Sequence, residues 1–172
     1  MRKVLYILGE LEDDDAEWLA RVGARRRVPR GEVLIREGGD LDSVFFVTQG
    51  TFTVSTGAVG QAVATVGVGE VLGEVSFIDR SPPTATVTAA EDAAVLAISR
   101  SALNEKIKAD PGFGGRFYKA VAVFLAERLR STLRRLGSQS SEADDELDLE
   151  ALDSLSKGGV RFKRILLRLQ RV

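Results

Sequence analysis

The sequence predicts a mainly β fold with flanking helices: a closed β-roll or jelly roll followed by C-terminal helices. Three observations predict it. Short β-type runs fill the stretch from about Arg25 to Ser99, Gly-rich or Asp-rich turns separate them, and helical periodicity stands on either side. Many short strands at such spacing close into a sandwich or roll. The 172 residues, 44% of them hydrophobic, fit one compact domain plus an appendage.

The elements follow in order. From Asp13 to Val22 a carboxylate-rich start precedes Trp18, Leu19 and Val22 at helical spacing, which reads as a short helix whose acidic first turn suits the dipole. Strands are expected at Val33–Ile35, Val44–Val47, Thr51–Val54, Ala62–Val66, Thr86–Val87 and Ala94–Ile98. Gly38-Gly39-Asp40 sits where a turn needs positive φ, which glycine adopts at little cost. After Ser99 the pattern turns helical. Arg100 to Ala109 forms a short helix, Asp110-Pro111 is a helix-start signal, and a long helix runs over about 111–136. In it Phe113, Phe117, Val121, Phe124, Leu125, Leu129, Leu133 and Leu136 recur at three- and four-residue spacing. Arg128, Arg130, Arg134 and Arg135 crowd its last turns, where cations complement the dipole.

This organisation divides the chain into a domain over 1–136, with the roll at about 25–99, and a charged helical extension over 137–172. Gly137-Ser138-Gln139-Ser140-Ser141 reads as a linker, Glu142 to Asp153 is acidic, and the tail from Lys157 is basic. Leu147, Leu149, Leu152 and Leu155 suggest a short amphipathic helix. Phe162, Ile165, Leu166 and Leu169 form a second apolar face beside Arg161, Lys163, Arg164, Arg168 and Arg171. Such a basic amphipathic segment can lie on a membrane or enter a partner's groove, but docking on its own domain or a dimer mate is the favoured expectation.

Composition narrows the function. A net charge of -1 argues against a chain built mainly for nucleic acid or anionic lipid. Without Cys or His there is no thiol nucleophile, no Ser-His-Asp triad and no zinc finger, so a metal site would have to be carboxylate-based. No nucleophile–base constellation stands out, and a non-enzymatic protein without a cofactor is expected. The apolar run Val4–Leu8 is shorter than a signal-peptide core, and no run approaches the roughly 20 residues that span a bilayer. A cytoplasmic location is the default expectation.

The stretch Gly73-Glu74-Val75-Ser76-Phe77-Ile78-Asp79-Arg80-Ser81-Pro82-Pro83-Thr84-Ala85-Thr86-Val87 resembles the phosphate-binding cassette of the cyclic nucleotide-binding domain family. That family includes the catabolite activator protein and the regulatory subunits of cyclic-AMP-dependent kinase. Arg30–Asp40 and Val44–Val54 look like the family's first strands and their turns, and the resemblance covers roughly residues 13 to 135. A generic cupin-type jelly roll is the alternative, although the His residues that usually bind metal there are absent.

The resemblance implies a ligand surrounded by Leu72, Gly73, Glu74, Val75, Ser76, Thr84 and Ala85. Gly73 would let backbone approach the cyclic phosphate, and Glu74 would accept a hydrogen bond from the ribose hydroxyl or simply cap its short helix. Thr84 and Ala85 would offer donors to phosphate oxygens. The family's phosphate-pairing arginine falls at Pro83 here. Losing that charge-assisted contact removes about 1.5–3 kcal/mol, or about one to two decades of affinity. Arg80, three residues upstream, is the candidate substitute; its other reading is an exposed loop cation.

The leading expectation is a regulatory signal-transduction module that binds cAMP, cGMP or a related anion and repositions C-terminal helices against a protein partner. The resemblance also implies a homodimer through the long helix 111–136. The alternative is a degenerate domain that binds no nucleotide and serves as an oligomerisation or docking unit. Attachment of the basic tail to a membrane or nucleic acid is weaker still. No DNA reading is expected, since the roughly 35 residues after the long helix are too few and too charge-blocked for a winged helix-turn-helix.

Overall fold

The computed structural model describes residues 8–57, 62–137 and 149–169. The elements are α1 (Asp13–Val22), β1 (Ala24–Val28), β2 (Val33–Ile35), β3 (Ser43–Gln49), β4 (Phe52–Ser55), β5 (Ala62–Val66), β6 (Val71–Leu72), α2 (Glu74–Asp79), β7 (Thr86–Ala89), β8 (Ala93–Ser99), α3 (Arg100–Ala109), α4 (Pro111–Gly137) and α5 (Leu149–Leu169). The strands form two four-stranded antiparallel sheets, in the orders β1-β8-β3-β6 and β2-β7-β4-β5. This is the β-roll with flanking helices that the strand spacing predicts.

Two strands escape the sequence pattern. β1 carries three consecutive arginines, which mask any apolar alternation, yet it pairs with β8 from Ala24↔Ala97 to Val28↔Ala93. β6 is two residues long and pairs Leu72 with Phe45 and Val71 with Phe46, too short to register as a period.

Strand β3 explains why the run Val44-Phe45-Phe46-Val47 is apolar throughout. Successive side chains of a strand point to opposite faces, and here both faces are buried. Phe45 and Val47 enter the space between the sheets with Val28, Phe52, Val54, Leu72, Val87 and Val95. Val44 and Phe46 face the helices, in a second cluster with Leu19, Leu96, Ile98, Leu103, Phe113, Phe117 and Phe124. The second cluster is rich in aromatic pairs. Trp18 meets Phe113 edge-on at 5.4 Å, and Phe113 stacks on Phe117 at 5.7 Å.

The helices are joined to one another by charge as well as by apolar packing. The Arg116 guanidinium of α4 forks onto buried Asp15 of α1, with Nε at 2.7 Å from Oδ2 and Nη2 at 3.0 Å from Oδ1. The same carboxylate accepts the Glu12 N–H at 2.9 Å. Planar bidentate pairing of this kind fixes orientation as well as distance.

The C-terminal helix α5 docks on this chain's own N-terminal segment. Arg161 donates to Asp13 Oδ1 at 2.7 Å and to the carbonyls of Leu8 and Gly9 at 2.8 and 3.1 Å, and Arg164 reaches Asp13 Oδ2 at 2.8 Å. Hydrogen bonds from Arg161 and Arg164 hold the Asp13 carboxyl below its usual range. Ile165 is buried in the helix-facing cluster and Phe162 packs against it. The two apolar faces expected over the tail belong to one continuous helix, Leu149–Leu169, which runs through Gly158-Gly159 with Gly158 buried. Leu147, most of the acidic stretch and nearly all of the expected linker lie outside the described residues.

The long helix α4 changes environment along its length. Phe113, Phe117, Ala120, Val121 and Phe124 are buried, whereas Leu129 and Leu133 are 60% and 57% exposed.

Phe113 is the central ring of the helix-facing core and is fully buried. Phe113→Ala is expected to lower unfolding stability by about 3–5 kcal/mol, read from urea unfolding midpoints. A loss below about 1 kcal/mol would mean that the helices pack on the roll far more loosely than these ring contacts indicate.

Candidate functional site

The loop from Leu72 to Ala85 leaves the roll, makes one short helix and returns to it. Leu72 is buried between the sheets. Gly73 follows at φ +84°, the left-handed conformation that turns the chain from strand into α2. A Cβ there would stand 2.9 Å from Leu41 Cδ2 and 3.0 Å from the Ser43 carbonyl oxygen, so glycine is required twice over, for its φ and for its lack of a side chain. Helix α2 ends at Arg80, also left-handed at φ 60°, whose N–H donates to the Ser76 carbonyl. Among the described residues Arg80 is the only non-glycine residue with positive φ.

Glu74 is the first residue of α2 and is only 3% exposed. A carboxylate this deep needs a partner, and Arg128 of α4 supplies it, with Nη1 at 2.8 Å from Oε1. The guanidinium remains partly exposed at 42%, so Arg128 touches both the buried carboxylate and solvent. Burial pushes the Glu74 carboxyl above its ordinary value of 4.5, with the Arg128 charge opposing the rise. One turn further on, Phe77 meets Phe117 of α4 edge-on at 5.8 Å. The cassette helix is thus tied to the long helix at two points, one ionic and one aromatic.

Two further contacts fix the loop. Arg100, at the start of α3, donates Nη2 to the Ser76 carbonyl at 2.6 Å and Nη1 to the Leu41 carbonyl at 2.8 Å. Beyond Arg80, Asp79 accepts the Ser81 hydroxyl at 2.7 Å and the Ser81 N–H at 2.9 Å, which hold its carboxyl below the usual range. Pro83 is buried, and its carbonyl accepts the Gly38 N–H at 2.8 Å. The residue at the expected arginine position therefore anchors the loop to the turn after β2.

Of the residues expected around a ligand, Val75, Arg80 and Thr84 are exposed, Gly73 and Ala85 half-buried, and Leu72, Glu74, Ser76 and Pro83 buried. Ala85 packs against the roll's interior cluster. Sequence reasoning missed Arg128 and Arg100 as parts of this loop. In sequence the helix dipole is reason enough for Arg128 and a helix start for Arg100, and neither position carries a local signal of what lies across the fold. A cleft of about 560 Å³ between α1 and α5, lined by Asp13, Ala16, Arg161 and Arg164 among others, includes none of the loop's residues.

Two outcomes test this geometry. Gly73→Ala is expected to lose about 1–3 kcal/mol of stability through backbone strain, with urea unfolding as the measurement; unchanged stability would show that the turn tolerates a side chain. Glu74 provides a pH test. Because its folded pKa lies above 4.5, ionising it disfavours the folded state, a cost absent below the unfolded value that develops as pH rises through the folded one. The stability of Glu74→Gln relative to wild type should therefore improve as pH rises through that window. A difference constant with pH would mean that Arg128 fully offsets burial.

The comparisons with known proteins agree with this architecture. A profile of the cyclic nucleotide-binding domain family matches residues 25–110, half of the chain. An uncharacterized NTE family protein of Mycobacterium tuberculosis is 29% identical over 130 residues, covering 75% of this chain and 22% of that protein. The cyclic AMP receptor protein of Thermus thermophilus is 30% identical over 128 residues, covering 73% of this chain and 52% of that protein. The chain thus spans between about a fifth and about half of these relatives. The crystal structure of a cyclic nucleotide-binding domain from Methylobacillus flagellatus shares the fold at a TM-score of 0.72 and 23% identity, over 82% of this chain and 84% of that one. With the two sheets, the Gly73–Glu74 turn and the long helix in that arrangement, the chain belongs to the cyclic nucleotide-binding domain family.

Proposed function

We propose that this chain is a non-enzymatic regulatory module that takes cAMP, cGMP or a related anion on the Leu72–Ala85 loop and passes its occupancy to the C-terminal helices. The observation that carries this reading is the double tie of α2 to α4, through Glu74–Arg128 and Phe77–Phe117. A ligand hydroxyl that reaches Glu74 has to share its carboxylate with Arg128. Any such rearrangement moves or loosens the long helix, because the guanidinium is carried on it. A cyclic AMP receptor protein among the relatives is consistent with the ligand class. The NTE family protein shares only a small part of its length with this chain, and its own activity does not bear on this one.

A specific observation favours a second reading. Pro83 is buried and tied to Gly38, so the loop is closed by a rigid apolar residue where the family pattern has a cation, and Glu74 already has an internal partner. In that reading the module binds no nucleotide and acts by docking. In both readings Leu129 and Leu133, one helical turn apart and exposed where α4 leaves the core, serve the pairing of two copies in a homodimer. Apolar side chains at that spacing share one helix face.

Calorimetric titration with cAMP and cGMP decides between the readings. Binding at about micromolar ligand, abolished in Glu74→Ala and weakened in Arg80→Ala, is the expected result for a sensor. No heat up to about millimolar ligand would leave docking as the function. For the homodimer, Leu129→Glu/Leu133→Glu is expected to sediment as a monomer while the wild type sediments as a dimer. A monomeric wild type would overturn that part of the proposal.

A further inference from the structure

We infer that the solvent face of α5, centred on Val160 and Leu167 and flanked by Lys163 and Arg168, is a docking surface for an anionic phospholipid bilayer. This surface is separate from the Leu72–Ala85 loop, and the inference does not depend on what that loop binds.

Charge segregation is the first observation. The chain as a whole is nearly balanced at -1, yet residues 154–172 contain six lysines and arginines and no acidic residue. Part of that charge is used within the fold, where Arg161 and Arg164 hold Asp13. Lys163 and Arg168 are exposed and enter no ion pair among the described residues.

The division of α5 into two faces is the second. Its inner face is taken: Gly158 and Ile165 are buried, and Phe162 packs against the helix-facing core. On the other side Ser156, Val160, Lys163, Arg164, Leu167 and Arg168 are exposed, at the three- and four-residue spacing that places side chains on one helix face. Val160 and Leu167 are 55% and 50% exposed, about two turns or 10.5 Å apart along the axis. A solvated charge run has no use for large apolar side chains at its centre. A helix that lies in the plane of a membrane interface buries such side chains and keeps its cations at the headgroups.

The third observation decides the occupant. Leu167 and Arg168 also line the cleft of about 560 Å³ between α1 and α5, together with Ala16, Ala20 and Ile165. Its acidic members are Asp13, already held by two arginines, and Glu17. An apolar recess beside exposed cations suits molecules that join aliphatic chains to anionic heads. A nucleic acid or an acidic peptide would meet the cations and leave Val160 and Leu167 in water, and a second copy would present the same cations and be repelled. Among the described residues no helix is long and apolar enough to cross a membrane, so the contact is with the bilayer surface.

The test is co-sedimentation of the intact protein with vesicles of equal parts phosphatidylglycerol and phosphatidylcholine, against vesicles of phosphatidylcholine alone. Saturable binding to the anionic vesicles only is expected, weakened about tenfold or more by Lys163→Gln/Arg168→Gln and reduced by raising salt from about 0.05 to about 0.5 M. Val160→Ser/Leu167→Ser leaves the charge unchanged and should weaken binding to a similar degree, which a purely electrostatic contact would not show. Thermal unfolding of each variant, with the four single substitutions as milder probes, separates lost docking from lost folding. Absent binding, equal binding to phosphatidylcholine vesicles, indifference to either pair of substitutions, or tighter binding of single-stranded DNA or an acidic peptide through the same residues would each overturn the inference.

Discussion

The buried carboxylate of Glu74 constrains the rest of this molecule. A carboxyl group held away from water at the first turn of α2 has to find a hydrogen-bonding partner, and that partner, Arg128, lies 54 residues further along the chain. The pair therefore dictates where the long helix passes. Once α4 crosses the cassette helix at that point, Phe117 meets Phe77 and Phe113 meets Trp18. The aromatic core beneath the helices and the loop beside the roll are consequently parts of one packed unit.

A second level of organisation comes from β3. Its four apolar residues divide between the interior of the roll and the helix-facing core, so the strand is the wall shared by both. The loop springs from β6, which pairs with this wall, and returns to β7 in the other sheet. Arg100 then fastens the middle of α2 from the end of β8. The turn at Gly73 is compact because a left-handed glycine and the close approach of Leu41 and Ser43 leave no room for a side chain.

The termini of the described chain add a third layer. Asp15 and Asp13 sit two residues apart on α1, and each is held by a different C-terminal helix: Asp15 by Arg116 of α4, Asp13 by Arg161 and Arg164 of α5. The acidic first turn favoured by the helix dipole thus also serves as the attachment point for both helices. This accounts for the destination of the basic amphipathic tail, on its own domain, and leaves Leu129 and Leu133 on a part of α4 that the domain does not cover.

Local pattern was enough for much of this protein. Strand spacing and turn residues determined the roll, and the acidic start and apolar period of residues 13–22 determined α1, because turns, periodicity and caps act between neighbours in sequence; the loop and its departure from the family's pattern at Pro83 were legible through the resemblance of the Gly73–Val87 stretch to that family. Strand β1 stayed hidden, since its arginines obey the demands of an exposed edge rather than those of a buried face. Only the tertiary structure decided that Arg128 pairs with Glu74, that Arg100 holds Ser76, that Pro83 is buried against Gly38 and that α5 rests on Asp13. Those choices depend on which side chains meet across the fold, and an arginine that complements a helix dipole looks the same in sequence as one that neutralises a carboxylate 54 residues away.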